Sequence, residues 1–103
     1  MNYKSKKLKE LERKRFSILT DNLQCCWLCG ERPVDIHEIY GGSNRQTSMK
    51  HGFCVPLCRN HHIEITNNNE SNKWLKQICQ IKFEMNNNRE SFIKIIGKNY
   101  LGD

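Results

Sequence analysis

Apolar residues recur along the chain in short clusters separated by polar breaks, and their spacing predicts a small set of elements. Between residues 4 and 20, Leu8, Leu11, Phe16, Ile18 and Leu19 stand among charged residues with no glycine or proline, which predicts an amphipathic helix closed by Thr20 and Asp21. From Pro33, the run Val34-Asp35-Ile36-His37-Glu38-Ile39-Tyr40 reads as one arm of a hairpin. Gly41 to Ser48 is polar and rich in turn formers, so it reads as a loop. Phe53 to Leu57 is short and apolar and contains Pro56, which suits an edge-like second strand. A short helix from Cys58 then presents His61, His62 and Ile65 and stops at Asn67-Asn68-Asn69. The next helix is expected to be capped by Ser71 or Asn72 and to bear Trp74, Leu75, Ile78, Cys79, Ile81, Lys82 and Phe83, whose spacing keeps one face apolar. A last helical stretch, Ser91 to Ile96, ends at Gly97.

The expected architecture is one α+β domain over residues 1–103. An N-terminal helix (1–21) precedes a ββα core (22–66), and C-terminal helices (67–103) pack around it. With 103 residues, the core is near the size at which burial alone gives thin stability, so a metal staple would help.

The cysteines supply such a staple. They stand at 25, 26, 29, 54, 58 and 79, behind a lysine-rich start with no apolar signal segment, so a secreted disulfide framework is not expected. Cys26-Trp27-Leu28-Cys29 and Cys58-Arg59-Asn60-His61 form a CxxC and a CxxH, two pairs that together satisfy a tetrahedral structural zinc. Gly30 after the first pair lets the backbone fold back toward the sulfurs. Cys25 or Cys54 could replace one of the four ligands, while Cys79 reads as core. With the CxxC thiols held by metal, a thiol-redox role has no free nucleophile.

Charge changes the picture next. The formal net charge is +6, and seven of the 17 Lys and Arg residues, Lys4, Lys6, Lys7, Lys9, Arg13, Lys14 and Arg15, lie at the start. This is either a solvated helix face or a surface for a polyanion. No apolar run reaches membrane-spanning length, so a cytoplasmic protein is expected. Asn44 and Arg45, in the inter-strand loop, are candidate phosphate contacts.

Two histidines, His37 and His62, have no place in the zinc tetrahedron. The CxxC knuckle, the His37-Glu38-Ile39 strand followed by Gly42 and Asn44-Arg45, and the segment Leu57-Cys58-Arg59-Asn60-His61-His62 resemble the HNH endonucleases of the ββα-metal (His-Me finger) class. The resemblance covers residues 25–66 and is greatest to small phage-encoded HNH proteins related to a recombinase-dependent phage nuclease. It implies metal-dependent hydrolysis of phosphodiester bonds in DNA, with His37 as general base and His62 as ligand of Mg2+ or another divalent ion. It also implies a setting in an infected bacterium, with a phage or host recombination protein as a possible partner. Ile36 stands where the family carries an Asp or His ligand, which leaves Asp35, or alternatively Glu38, as the second ligand. Phe53 falls at the family's middle Asn or His, and His51 is the nearest polar substitute. A chain that kept only the zinc and the basic surface would be an inactive nucleic-acid-binding or protein-interaction module.

Overall fold

The computed structural model describes residues 6–102. Its elements run α1 (Lys6–Arg13), β1 (Val34–Glu38), a 3-10 turn (Gly42–Asn44), α2 (Arg45–His51), β2 (Cys54–Cys58), α3 (Arg59–Asn67), α4 (Asn69–Glu84) and α5 (Arg89–Ile96). This is a small α+β fold around a single antiparallel pair, in which Val34 faces Cys58, Ile36 faces Pro56 and Glu38 faces Cys54. No described helix is long and apolar enough to cross a membrane.

β2 is the centre of the molecule. All five of its residues are buried, and Val55 and Leu57 join Tyr40, Phe53, Leu75 and Phe92 in one core. Tyr40 meets Phe53, Phe92 and Tyr100 with ring centroids 5.4–5.5 Å apart, so strand and C-terminal helices share one aromatic cluster. Pro56 is therefore interior in packing, although its strand is an edge in hydrogen bonding, which is what the missing N–H requires.

Three expectations are corrected. The helix predicted over residues 4–20 ends at Arg13, and its start, with Lys4, lies outside the described residues. Beyond Arg13 the chain leaves the helix, Ile18 donates its N–H to the Gly52 carbonyl at 2.9 Å, and Ile18 and Leu19 pack on the core as irregular chain. Tertiary burial has overridden helical spacing there. The predicted loop over 41–48 holds a 3-10 turn and the start of α2, because Met49 and Ser48 give that helix an inner face. The Ser48 hydroxyl donates to the Tyr40 carbonyl at 2.7 Å and accepts the Tyr40 N–H at 3.2 Å. Finally, α4 is capped by Asn68, whose side chain accepts from the N–H groups of Glu70 and Ser71, not by Ser71 or Asn72.

α2 ends at Gly52, whose φ of 76° is left-handed, and a Cβ there would lie 2.4 Å from the Phe16 ring. Gly52→Ala is therefore expected to cost about 1–3 kcal/mol through strain and displacement of Phe16. Urea denaturation measures it; an unchanged midpoint contradicts the packing of Phe16.

Candidate metal centre and histidine cleft

The knuckle forms because Cys26 and Gly30 close a tight turn. The Gly30 N–H donates to the Cys26 carbonyl at 2.8 Å, and Gly30 takes a φ of 79° that side chains resist. Trp27 then donates its N–H to the Pro56 carbonyl at 2.8 Å, which fastens the knuckle to β2. On the other side, Cys58 is the N-cap of α3 and His61 lies in its first turn.

These elements bring Cys26, Cys29, Cys58 and His61 together with all four ligand atoms within 4.8 Å of one another, and the cluster can hold a metal ion such as zinc. The spacing tests the fit. Zn–S bonds of about 2.3 Å and Zn–N bonds of about 2.0–2.1 Å set tetrahedral edges of about 3.8 Å between sulfurs and about 3.5 Å between sulfur and nitrogen. Cys29 Sγ to Cys58 Sγ is 3.7 Å, Cys26 Sγ to His61 Nδ1 is 3.5 Å and Cys58 Sγ to His61 Nδ1 is 3.3 Å.

The electrostatics favour a cation in the same place. Burial alone would raise the Cys26 thiol, but N–H groups of Cys58, Cys29 and Leu28 aimed at its sulfur bring it down to about 6. At Cys29 the Glu31 N–H favours the thiolate, but burial and the neighbouring sulfurs of Cys26 and Cys58 prevail and push it up to about 11. Adjacent thiolates repel, and a dication removes that repulsion.

The other cysteines stand apart from the cluster. Burial raises Cys54 and Cys79 to about 12, so both stay protonated in the core. Cys25 is half-exposed and accepts a hydrogen bond from Arg32 Nε at 3.3 Å.

Beside the cluster lies a second group. His61 and His62 diverge by about 100° around α3, and His62 meets His37 of β1 edge-on, with ring centroids 5.3 Å apart and planes at 64°. Asp35 Oδ2 lies 3.1 Å from His62 Nδ1 and 3.8 Å from an Arg59 guanidinium nitrogen. Burial, with the nearby charges of His62 and Lys76 adding to it and Glu38 opposing, lowers His37 to about 4, so its imidazole is neutral at pH 7. His37 Nε2 is buried without a hydrogen-bond partner. Structural histidines rarely leave a ring nitrogen so.

The remaining candidate residues fall into separate places. Glu38 accepts from Arg15 at 2.8 Å and Arg45 at 3.1 Å, and Arg45 also reaches Glu12 at 3.2 Å. Arg45 thus belongs to a surface ion-pair network. Asn44 lines the same cleft as His37, of about 340 Å³, while its side chain donates to the Ile96 carbonyl at 3.0 Å. His51 stacks on Phe53, and Phe53 is core. Bracing between the strands comes instead from Ser48, bonded to Tyr40 and, through its carbonyl, to the Phe53 N–H at 2.8 Å.

Sequence reasoning missed three residues that line the His37 cleft, Asn72, Lys76 and Tyr100, because all come from the C-terminal region that reads as packing. The i,i+4 spacing of Asn72 and Lys76 on one helix face was the available signal. Comparison with protein-family models, curated proteins and solved structures finds no match for this chain.

Proposed function

We propose that this protein is a zinc-stapled, metal-dependent endonuclease that hydrolyses phosphodiester bonds in DNA. The observation that carries the reading is the His37–His62 pair: a neutral strand histidine that lines a cleft and has an unmatched nitrogen, edge-on to a helix histidine that a carboxylate orients.

In this reading His37 takes the proton from the attacking water, for which a neutral imidazole is required. His62 turns Nδ1 toward Asp35, which leaves Nε2 free for a divalent ion, and Asp35 acts as the positioning residue for His62. His62 would be the protein ligand of such an ion, which would be weakly held, since no second group of three or more ligating side chains occurs among the described residues. When bound, such an ion stabilises charge on the phosphoryl oxygens as a Lewis acid. Zinc at the cysteine cluster holds the α3 start and the strand pair in register, which keeps the two histidines facing each other. Ile36 contributes no ligand and Asp35 is already engaged, and these facts favour the second reading, an inactive zinc module that binds nucleic acid.

The test is incubation of zinc-loaded protein with supercoiled plasmid and Mg2+ or Mn2+. Conversion to nicked or linear DNA that EDTA abolishes is expected. A retained gel shift without cutting favours the inactive module. Within the active reading, Asp35→Asn is expected to weaken Mn2+ binding at His62 by about 10–100-fold, measured by paramagnetic broadening of the imidazole signals, with zinc content unchanged. Unaltered broadening contradicts the positioning role.

A further inference from the structure

Three of the basic residues near the N-terminus are matched by carboxylates. Arg13 pairs with Glu10, Lys14 reaches Glu10 at 3.2 Å, and Arg15 reaches Glu38 at 2.8 Å and Glu12 at 3.6 Å. These pairs offset part of the segment's charge, although Arg13 and Lys14 stay exposed and only Arg15 is turned into the fold.

A second set of cations is gathered around one aromatic ring. Lys73 and Lys76 of α4 and Lys98 of the C-terminal tail line one cleft of about 430 Å³ with Asn72, Asn99 and Tyr100. Among the described residues none of the three lysines has a carboxylate partner. Lys76 and Lys98 both sit over the Tyr100 ring, with Nζ 5.4 Å and 5.0 Å from its centroid. Each contact is a cation–π interaction, and together they hold both ammonium groups at that ring.

The tail that brings Lys98 there is anchored from within. Gln80, fully buried, donates from Nε2 to Asn99 Oδ1 at 2.8 Å and accepts the Tyr100 N–H on Oε1 at 2.8 Å. Gln77 donates to the Tyr100 carbonyl at 3.0 Å. A buried amide that satisfies a tail backbone fixes the tail's register, so the lysine cluster is held by ordered structure.

This cleft neighbours the one that contains His37. Asn72, Lys76 and Tyr100 line both, so the two clefts adjoin and the lysines stand beside the cleft that holds His37. We infer that Lys73, Lys76 and Lys98 around Tyr100 form a phosphate-binding track that seats the DNA backbone flanking the bond presented to His37. The inference rests on the nucleic-acid reading above, but not on cleavage. Ammonium groups spaced along a groove match a strand's repeated phosphates, and the ring offers a face for stacking against a base or sugar.

The test is fluorescence anisotropy of the zinc-loaded full chain with a 20-base-pair duplex and a 20-nucleotide single strand, over a salt series. The triple variant Lys73→Gln, Lys76→Gln, Lys98→Gln is compared with Lys6→Gln, Lys7→Gln, Lys9→Gln, each checked for fold by circular dichroism. For the first variant the slope of log K against log salt is expected to shrink by about 2.7 on duplex or about 2 on single strand, with at least about a tenfold loss of affinity. The second variant is expected to change both far less. The inference is overturned by an unchanged slope in the first variant, by the reverse ranking, or by wild-type protein that binds polyglutamate-type acidic peptide but neither DNA. Binding with the expected slope change and no cleavage upholds the track and refutes only the nuclease.

Discussion

Withholding metal from the Cys26, Cys29, Cys58 and His61 cluster is expected to abolish the cooperative unfolding transition of this protein. Structural zinc contributes about 10–16 kcal/mol of apparent binding free energy in small zinc-dependent folds, which equals or exceeds the about 5–15 kcal/mol by which whole domains are stable. Here the cluster joins a knuckle that has no regular secondary structure to the junction of β2 and α3, so its loss frees both from each other. Cys29→Ser is the cleanest probe. Cys29 is exposed, whereas Cys26 and Cys58 are buried, so replacing its sulfur removes a ligand with little change in packing. Thermal unfolding followed by circular dichroism, together with metal analysis, is expected to give one zinc per wild-type chain, loss of zinc in the variant and a collapsed transition. A variant without zinc that melts as wild type contradicts the staple.

On the nuclease reading, His37→Ala is expected to lower the rate of DNA cleavage by about 10²–10⁴-fold and to leave the fold, the zinc and DNA binding in place. The magnitude is that of a lost general base. The selectivity follows from position. His37 makes no hydrogen bond through Nε2, and its strand neighbours are held by the β1–β2 ladder and by the Ile39 N–H to the Phe53 carbonyl at 2.9 Å, so the ring is not what keeps β1 in register. It also lies outside the zinc tetrahedron. Single-turnover cleavage, gel shift and zinc content measured on the same preparation separate the three properties. Equal loss of binding and cutting contradicts the assignment of His37 to the chemical step.

The parts of this structure legible in the sequence are those that local chemistry dictates. The paired CxxC and CxxH spacing set the four-residue cluster, the alternation from Val34 set β1, and Asn-rich breaks with Gly97 marked the C-terminal helices. What was not legible depends on long-range contacts. The first helix stops at Arg13 because Ile18 and Leu19 gain more from the core than from continuing the helix. α2 forms in a polar stretch because Ser48 and Met49 are covered by neighbours distant in sequence. The roles of Glu38 and Arg45 were obscured likewise. Their ion pairs span residues 12, 15, 38 and 45, and no local pattern announces such a network. At the candidate site, alternation along β1 put Asp35 with His37, yet only the fold shows its carboxylate turned to His62 Nδ1. The lysine track escaped notice because it is assembled from α4 and a tail that a buried glutamine pins to it.

The most direct test of the central claim is a matched plasmid assay. Zinc-loaded wild-type protein and zinc-loaded His37→Ala, shown by circular dichroism to be equally folded, are each incubated with supercoiled plasmid with Mg2+ or with EDTA. The account predicts Mg2+-dependent nicking by wild type and its loss in the variant; wild-type protein that binds the plasmid and leaves it supercoiled, or a variant that nicks at the wild-type rate, contradicts it.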